Sequence, residues 1–187
     1  MKLKKNDKRE YTKLKSNLDF KFMSFFFKIR DKFHDPMEKI EKTGIKVGDY
    51  VLDYGCGPGS FSIAAAEVVG TSGKVYAADI HPLAAEKINK KASKKGIKNI
   101  ETITTDCNTR IKDNSIDTII CFDTLHDIAD QNSVSKEFYR VLKTECLLSI
   151  DDHHLEEKEI ISLITAQGFF KLAEKKDKLY NFIKIVN

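Results

Sequence analysis

The stretch Asp53-Tyr54-Gly55-Cys56-Gly57-Pro58-Gly59-Ser60 sets three glycines at alternate positions behind an acid. A glycine-rich turn that feeds a helix lets the backbone approach a ligand closely and aims N–H groups at it. The dinucleotide-binding pattern needs its third glycine one residue later than this one has it. A carboxylate at the mouth of such a loop repels a pyrophosphate and attracts an ammonium or sulfonium group. Some twenty residues past the loop stands Asp79, followed by Ile80. An acid at that distance can accept both hydroxyls of a ribose, and Ile80 can lie against a flat base. Asp106 can accept a hydrogen bond from an adenine amino group, with Cys107 beside it as apolar packing. Asp also begins turns, so Asp106 alone is a weak signal. His81 precedes a proline at a helix start and reads as a cap or a surface residue.

Two histidine-bearing stretches follow, Leu125-His126-Asp127 and Asp151-Asp152-His153-His154. One reading makes them a general base, or a small metal site with Asp152 and histidines as ligands. The other makes them loop hydrogen bonding, with Asp151 or Asp152 capping a helix that begins near Leu155. His126, His153 and His154 are the candidate catalytic residues, and no metal is assigned.

These residues fall at the ends of alternating elements. Strands are expected at Tyr50–Tyr54, Lys74–Asp79, Ile100–Thr104, Ile116–Phe122 and Cys146–Ile150. Helices are expected at Ser60–Val69, at Pro82–Lys95 closed by Gly96, around Val134–Leu142, and at Leu155–Ala166 stopped by Gly168. Phe169–Ala173 and Tyr180–Val186 form a final strand pair. Strict β-α-β alternation with nearly continuous apolar strands means a doubly wound α/β fold, a mostly parallel sheet with helices on both faces. Right-handed crossovers bring the carboxyl ends of the parallel strands to one edge, where ligands of such sheets bind.

The 187 residues are 41% hydrophobic and include three prolines, enough for one folded core and unlike a disordered chain. No segment approaches the roughly 20 apolar residues that cross a bilayer. No signal-peptide core follows the lysine-rich start, so a cytoplasmic protein is expected. Four scattered cysteines without a C-x-x-C pair read as reduced thiols. Residues 1–35 carry 11 Lys/Arg against 5 Asp/Glu, whereas the remainder is near neutral. This division suggests a basic arm with a Phe-rich helix over 1–35 and a ligand-binding domain over 36–187. Phe22, Phe26, Ile29 and Phe33 recur at spacings of four, three and four, one face of an amphipathic helix. That face is expected to pack on its own domain, with a homodimer as the alternative and lipid contact behind both.

VLDYGCGPGSF, VYAADIHP, TTDC and SIDTIICFDTLHD, in this order and spacing, resemble the class I S-adenosylmethionine-dependent methyltransferases over roughly residues 45–151. The resemblance implies a Rossmann-like seven-stranded sheet whose last strand inserts antiparallel, with S-adenosyl-L-methionine as cofactor. It implies that Gly55, Gly57 and Gly59 line the methionine portion and that Asp53 supports its amino end. Asp79 would hold the ribose hydroxyls, Ile80 and Asp106 would frame the adenine beside Cys107, and Phe122 and Asp123 would approach the methionine portion. Arg140-Val141-Leu142-Lys143 resembles the family's lead into strand five, but Thr144-Glu145-Cys146 replaces its usual Pro-Gly-Gly turn.

The acceptor side is less legible. No Asn-Pro-Pro-Tyr-type signature follows strand four, where Phe122-Asp123-Thr124 stands, and no aromatic stacking platform for RNA is evident. A small-molecule methyl acceptor is therefore expected, with the Phe-rich helix, and Tyr11 before it, as a lid. Methylation of tRNA or protein through the basic arm is one alternative. A silent protein that binds the cofactor and dimerises is another. A nicotinamide oxidoreductase is disfavoured by the glycine spacing.

Overall fold

The computed structural model describes residues 14–186. Two helices come first, α1 (Asn17–Phe33) and α2 (Pro36–Lys42). The alternating body is β1 (Tyr50–Tyr54), α3 (Ser60–Val69), β2 (Lys74–Asp79), α4 (Pro82–Lys95), β3 (Ile100–Thr104), β4 (Ile116–Phe122), α5 (Gln131–Val141) and β5 (Leu142–Asp151). It closes with α6 (Glu157–Thr165), β6 (Phe170–Lys176) and β7 (Leu179–Lys184). One seven-stranded sheet runs β3-β2-β1-β4-β5-β7-β6. The first five strands are parallel, and β7 lies antiparallel to both β5 and β6. The Rossmann-like expectation is met, down to the inserted last strand.

Side chains alternate across the sheet with the period of two that a strand dictates. Leu52, Ile119 and Cys121 point to the α5–α6 layer, where Phe138, Val141, Ile160 and Ile164 cover them. Val51, Ile120 and Phe122 point to the other layer, against Ala64, Ala65, Ala66 and Val69 of α3. The small side chains of α3 let that helix lie close to the sheet. Strand order reverses between β1 and β4, so the crevice of the switch point opens over Tyr54 and Phe122.

The final strands and α5 shift by a few residues from the expected bounds, and three further differences have a local reason. The fifth strand starts at Leu142 instead of Cys146, because Glu145 takes the left-handed φ of 62° that the missing glycine would supply. Helix α6 starts at Glu157 rather than near Leu155. Its cap is Glu156, whose N–H donates to Glu159 at 2.8 Å in a capping box. Neither Asp151 nor Asp152 caps it. Pro36 does more than mark a boundary: it opens α2, capped by Asp35, which accepts from the Met37 N–H at 2.9 Å.

Helix α1 corrects the expected apolar face. Phe22, Phe26, Ile29 and Phe33 are exposed, and the helix packs through Phe20, Met23, Ser24 and Phe27 on its other side. The reason is a stacking partner. The Phe20 ring lies on the His81 ring with centroids 4.2 Å apart and an interplanar angle of 16°, and Phe20 joins Cys56, Ala77, Ala84 and Ile88 in one buried cluster. Among the described residues no helix is long and apolar enough to cross a membrane, and all four cysteines are free thiols.

Candidate active site

The glycine turn binds itself to β2 before it can bind anything else. The N–H groups of Gly55 and Cys56 both donate to the Ala78 carbonyl, at 2.8 and 3.0 Å. A Cβ on Gly55 would meet the Thr124 side chain at 2.2 Å, and one on Gly59 would meet Ile88 at 2.2 Å. Gly59, at φ +83°, therefore serves close packing of the loop on α4 and does not line the cleft. Gly57 is the one that faces outward: a Cβ there would point at Phe27 and Met23 of α1, 3.6 and 3.9 Å away.

Asp79 sits at the end of β2 and fixes that loop. One carboxylate oxygen accepts from the Gly57 N–H at 2.8 Å and the other from the His81 N–H at 2.7 Å. Burial pushes its pKa up, against the pull of these two bonds. Each oxygen keeps lone-pair capacity for a second donor. His81 is both a cap and a buried residue. Its Nδ1 accepts from the Leu83 N–H at 3.2 Å, so the neutral ring carries its proton on Nε2, which has no partner among the described residues.

These groups line a cleft of about 790 Å³ open to solvent. Its walls include Gly55, Gly57, Asp79, Ile80, Asp106, Phe122 and Asp123, seven of the expected binding residues, roofed by Phe20, Met23 and Phe27. Tyr54, Thr124 and Ile128 also line it. The Tyr54 hydroxyl donates to the Asp106 carbonyl at 2.8 Å and so positions that turn. Three of these lining residues were not foreseen: Tyr54, whose role needs a partner 52 residues away, Thr124 and Ile128. Tyr11 lies outside the described residues.

Besides Gly59, two more expected binding residues fall elsewhere. Asp53 is 2% exposed beneath the loop, where it accepts from the Ser62 hydroxyl at 2.5 Å. Burial pushes its carboxyl up to about 7, against the Ser62 hydrogen bond. It faces the helix start rather than the mouth of the cleft, because β1 alternation turns it toward α3. Cys107 packs against the core side of the Asp106 turn and is not in the cleft wall.

Beside this cleft lies a second one, lined by Arg30, His34, Lys39, Phe61, Asp151 and His153 among others, and the two meet at Asp123. Asp123 holds a left-handed φ of 50°, a conformation that costs a non-glycine residue about 1 kcal/mol or more. Its Oδ1 contacts His153 Nδ1 at 2.5 Å, and Arg30 approaches Oδ2 at 3.6 Å. Burial alone would raise the Asp123 carboxyl, but the His153 hydrogen bond and the Lys39 charge outweigh it and hold it below the usual range.

The three candidate histidines lie in one row, with His154 between His153 (3.9 Å between centroids, rings tilted by 40°) and His126 (4.1 Å, tilted by 46°). Asp152 anchors the row from a fully buried carboxylate. It accepts from the His126 N–H and the His154 N–H, both at 3.0 Å, and meets His126 Nδ1 at 2.8 Å. Of the three, His153 alone lines a cleft. Among the described residues no group of three or more His, Cys, Asp or Glu is placed to hold a metal ion.

Residues 45–187 match the family model described as a methyltransferase domain. The chain belongs to the S-adenosylmethionine-dependent methyltransferases. Among curated relatives, demethylmenaquinone methyltransferase from Lactobacillus johnsonii is 32% identical over 141 residues, 74% of this chain and 57% of that protein. A ubiquinone/menaquinone biosynthesis C-methyltransferase from Marinomonas is 27% identical over 142 residues, 75% of this chain and again 57% of the relative. The chain thus spans less than two thirds of the length of these relatives. A solved SAM-dependent methyltransferase from Aquifex aeolicus superposes with a TM-score of 0.73 at 25% identity, covering 82% of this chain and 92% of that one. A Methanococcus maripaludis structure described as a putative S-adenosyl-L-methionine-dependent methyltransferase shares the fold, with a TM-score of 0.75 at 17% identity over 95% and 98% of the two chains.

The cleft fits the cofactor on its own chemistry. A carboxylate with spare acceptor capacity, an unpartnered buried His81 Nε2 donor and a bare glycine wall meet apolar Ile80, Phe20 and Ile128. That is the mixture a ribose joined to a flat base requires.

Proposed function

We propose that this chain transfers a methyl group to a small-molecule acceptor in the second cleft, an aromatic ring bearing an ionisable hydroxyl. The observation that carries the reading is Asp123, which forms the shared wall of the two clefts and holds His153 on the acceptor side. In support, the relatives named above act on quinone precursors by their printed names, and Phe61 offers an aromatic wall.

Asp79 binds the ribose hydroxyls, Ile80 and Asp106 frame the base, and Gly55, Gly57, Phe122 and Asp123 flank the methionine portion. S-adenosylmethionine supplies a methyl on a cationic sulfur with a neutral leaving group. The protein's contribution is to align and to exclude water, which provides much of the acceleration of such a displacement. Roofing by Phe20, Met23 and Phe27 excludes water. His153, with Nδ1 engaged by Asp123, presents Nε2 to take the proton of an acceptor hydroxyl. His126 and His154, tied to Asp152, keep His153 in place through the tilted ring contacts of the row.

The test starts with a thermal shift with S-adenosylhomocysteine beside NAD, read by an extrinsic dye because the chain has no Trp. A ligand at 100 times its Kd adds roughly 2.7 kcal/mol. Stabilisation by the homocysteine nucleoside, followed by radiolabelled methyl transfer to a demethylated naphthoquinol or another phenol, supports the proposal. Stabilisation by NAD, or transfer only to tRNA or protein, overturns it.

A further inference from the structure

The face of α1 that turns away from the domain is apolar, and it is bordered by cations. At about 100° per residue, Leu18, Phe22, Phe25, Phe26, Ile29 and Phe33 form one continuous stripe opposite the packed side. The phenylalanines on it are 58–78% exposed. At the ~200 Å² that a Phe side chain carries, those four alone leave about 500 Å² of apolar surface in water. A monomer's largest apolar patch is typically of that size and often functional. A stable dimer needs nearer to about 800 Å² per partner.

Along one edge of the stripe run Lys21, Lys28 and Lys32, all exposed and none in an ion pair among the described residues. Residues 1–35 as a whole carry a net charge of +6 (11 basic against 5 acidic). Two copies of such a surface repel each other, whereas an anionic lipid surface attracts each of them. A helix with phenylalanines on one face and lysines beside them lies in the headgroup boundary, rings down and ammonium groups level with the phosphates.

We infer that α1 is an interfacial helix that docks this protein on an anionic membrane surface through Phe22, Phe25, Phe26 and Phe33, with Lys21, Lys28 and Lys32 on lipid phosphates. Docking leaves the opposite side of the same helix over the cleft and adds no membrane span. It is independent of which acceptor the chain methylates.

The experiment is flotation of the full chain with vesicles of phosphatidylcholine alone and of phosphatidylcholine with phosphatidylglycerol, at low and high salt. Wild type floats with the anionic vesicles and less so at high salt. The variant F22S/F26S/F33S loses on the order of a hundredfold in partitioning while binding S-adenosylhomocysteine as wild type does. The variant K21E/K28E/K32E loses the preference for anionic lipid without losing a ring. Absence of wild-type flotation, or undiminished flotation of the phenylalanine variant, overturns the inference. So does sedimentation showing a dimer that the phenylalanine variant abolishes without any binding to vesicles, which would give this face to a second copy.

Discussion

Replacing Asp79 by alanine tests the placement of the site twice. The carboxylate holds the Gly57 N–H at 2.8 Å and the His81 N–H at 2.7 Å. Each hydrogen bond to a charged group contributes about 1.5–3 kcal/mol, and relief of the buried charge returns part of the sum. The protein without ligand should therefore lose about 2–3 kcal/mol, which lowers the Tm of a chain this long by roughly 5–10 °C. Loss of two ribose hydrogen bonds should weaken S-adenosylhomocysteine binding by a further hundredfold or so. Dye-monitored melting without ligand reads the first effect, and titration calorimetry at a temperature where the variant is folded reads the second. Asp79→Asn keeps one acceptor but turns an amide N–H₂ toward a backbone N–H, so it should fall between wild type and alanine. An unchanged Tm would refute the pinning of the loop by Asp79. An affinity within about threefold of wild type would refute the assignment of this cleft to the donor.

Asp53→Asn should abolish a pH effect. The folded carboxyl is pushed up to about 7 from its ordinary 3.8, so its contribution to stability is complete below about pH 4 and is lost as the pH rises through 7. Wild type should lose more stability than Asp53→Asn between about pH 5 and 8.5, and parallel melting curves would show that Asp53 does not titrate there. Gly59→Ala puts a Cβ 2.2 Å from Ile88 at φ +83°, which should cost about 3 kcal/mol. The double change with Ile88→Ala should cost less than the two single changes added together, and strict additivity in denaturant melts would count against the clash. Asp152→Ala strands three donors in a buried site and should cost about 3 kcal/mol or more, while His153→Gln should lower kcat with little change in nucleoside affinity. Full turnover by His153→Gln with a phenolic acceptor would remove it from the chemistry.

The sheet was readable because its signals are local. Tyr50–Tyr54, Lys74–Asp79 and Ile116–Phe122 are short β-rich runs, the first followed by Gly55, the second ending in Asp79 and the third followed by Asp123, and their boundaries agree with the structure. Most of the cleft wall was readable too, since Gly55, Gly57, Asp79, Ile80 and Asp106 stand at or just past strand ends whose edge the topology dictates. The unreadable parts depend on distant neighbours. The packed side of α1 was decided by one ring, His81, 61 positions from Phe20 in the chain. The competing stripe of Phe22, Phe26, Ile29 and Phe33 had the cleaner periodicity and still lost. Asp152 read either as a helix cap or as a partner of the histidines, and the sequence alone left the two open; the histidine row that claims it needs β4 and β5 to be neighbours first.

Among the ties that hold helix α1 over the cleft are the Phe20–His81 stack, the burial of Phe20 against Cys56, Ala77, Ala84 and Ile88, a hydrogen bond from the Ser60 hydroxyl to Asp31, and the approach of Arg30 to Asp123 and to the Phe61 ring. For the nucleoside proposed to bind beneath it, parting of those ties widens the path to the medium that the open cleft already offers. Its residence time would then depend on local opening of the N-terminal turns as well as on its own contacts. Substitutions on α1 that never touch the nucleoside would shorten or lengthen that time, and stopped-flow dissociation would register them even where equilibrium affinity changed little. If the proposed transfer is fast, departure of the spent donor past α1 would set the pace of turnover.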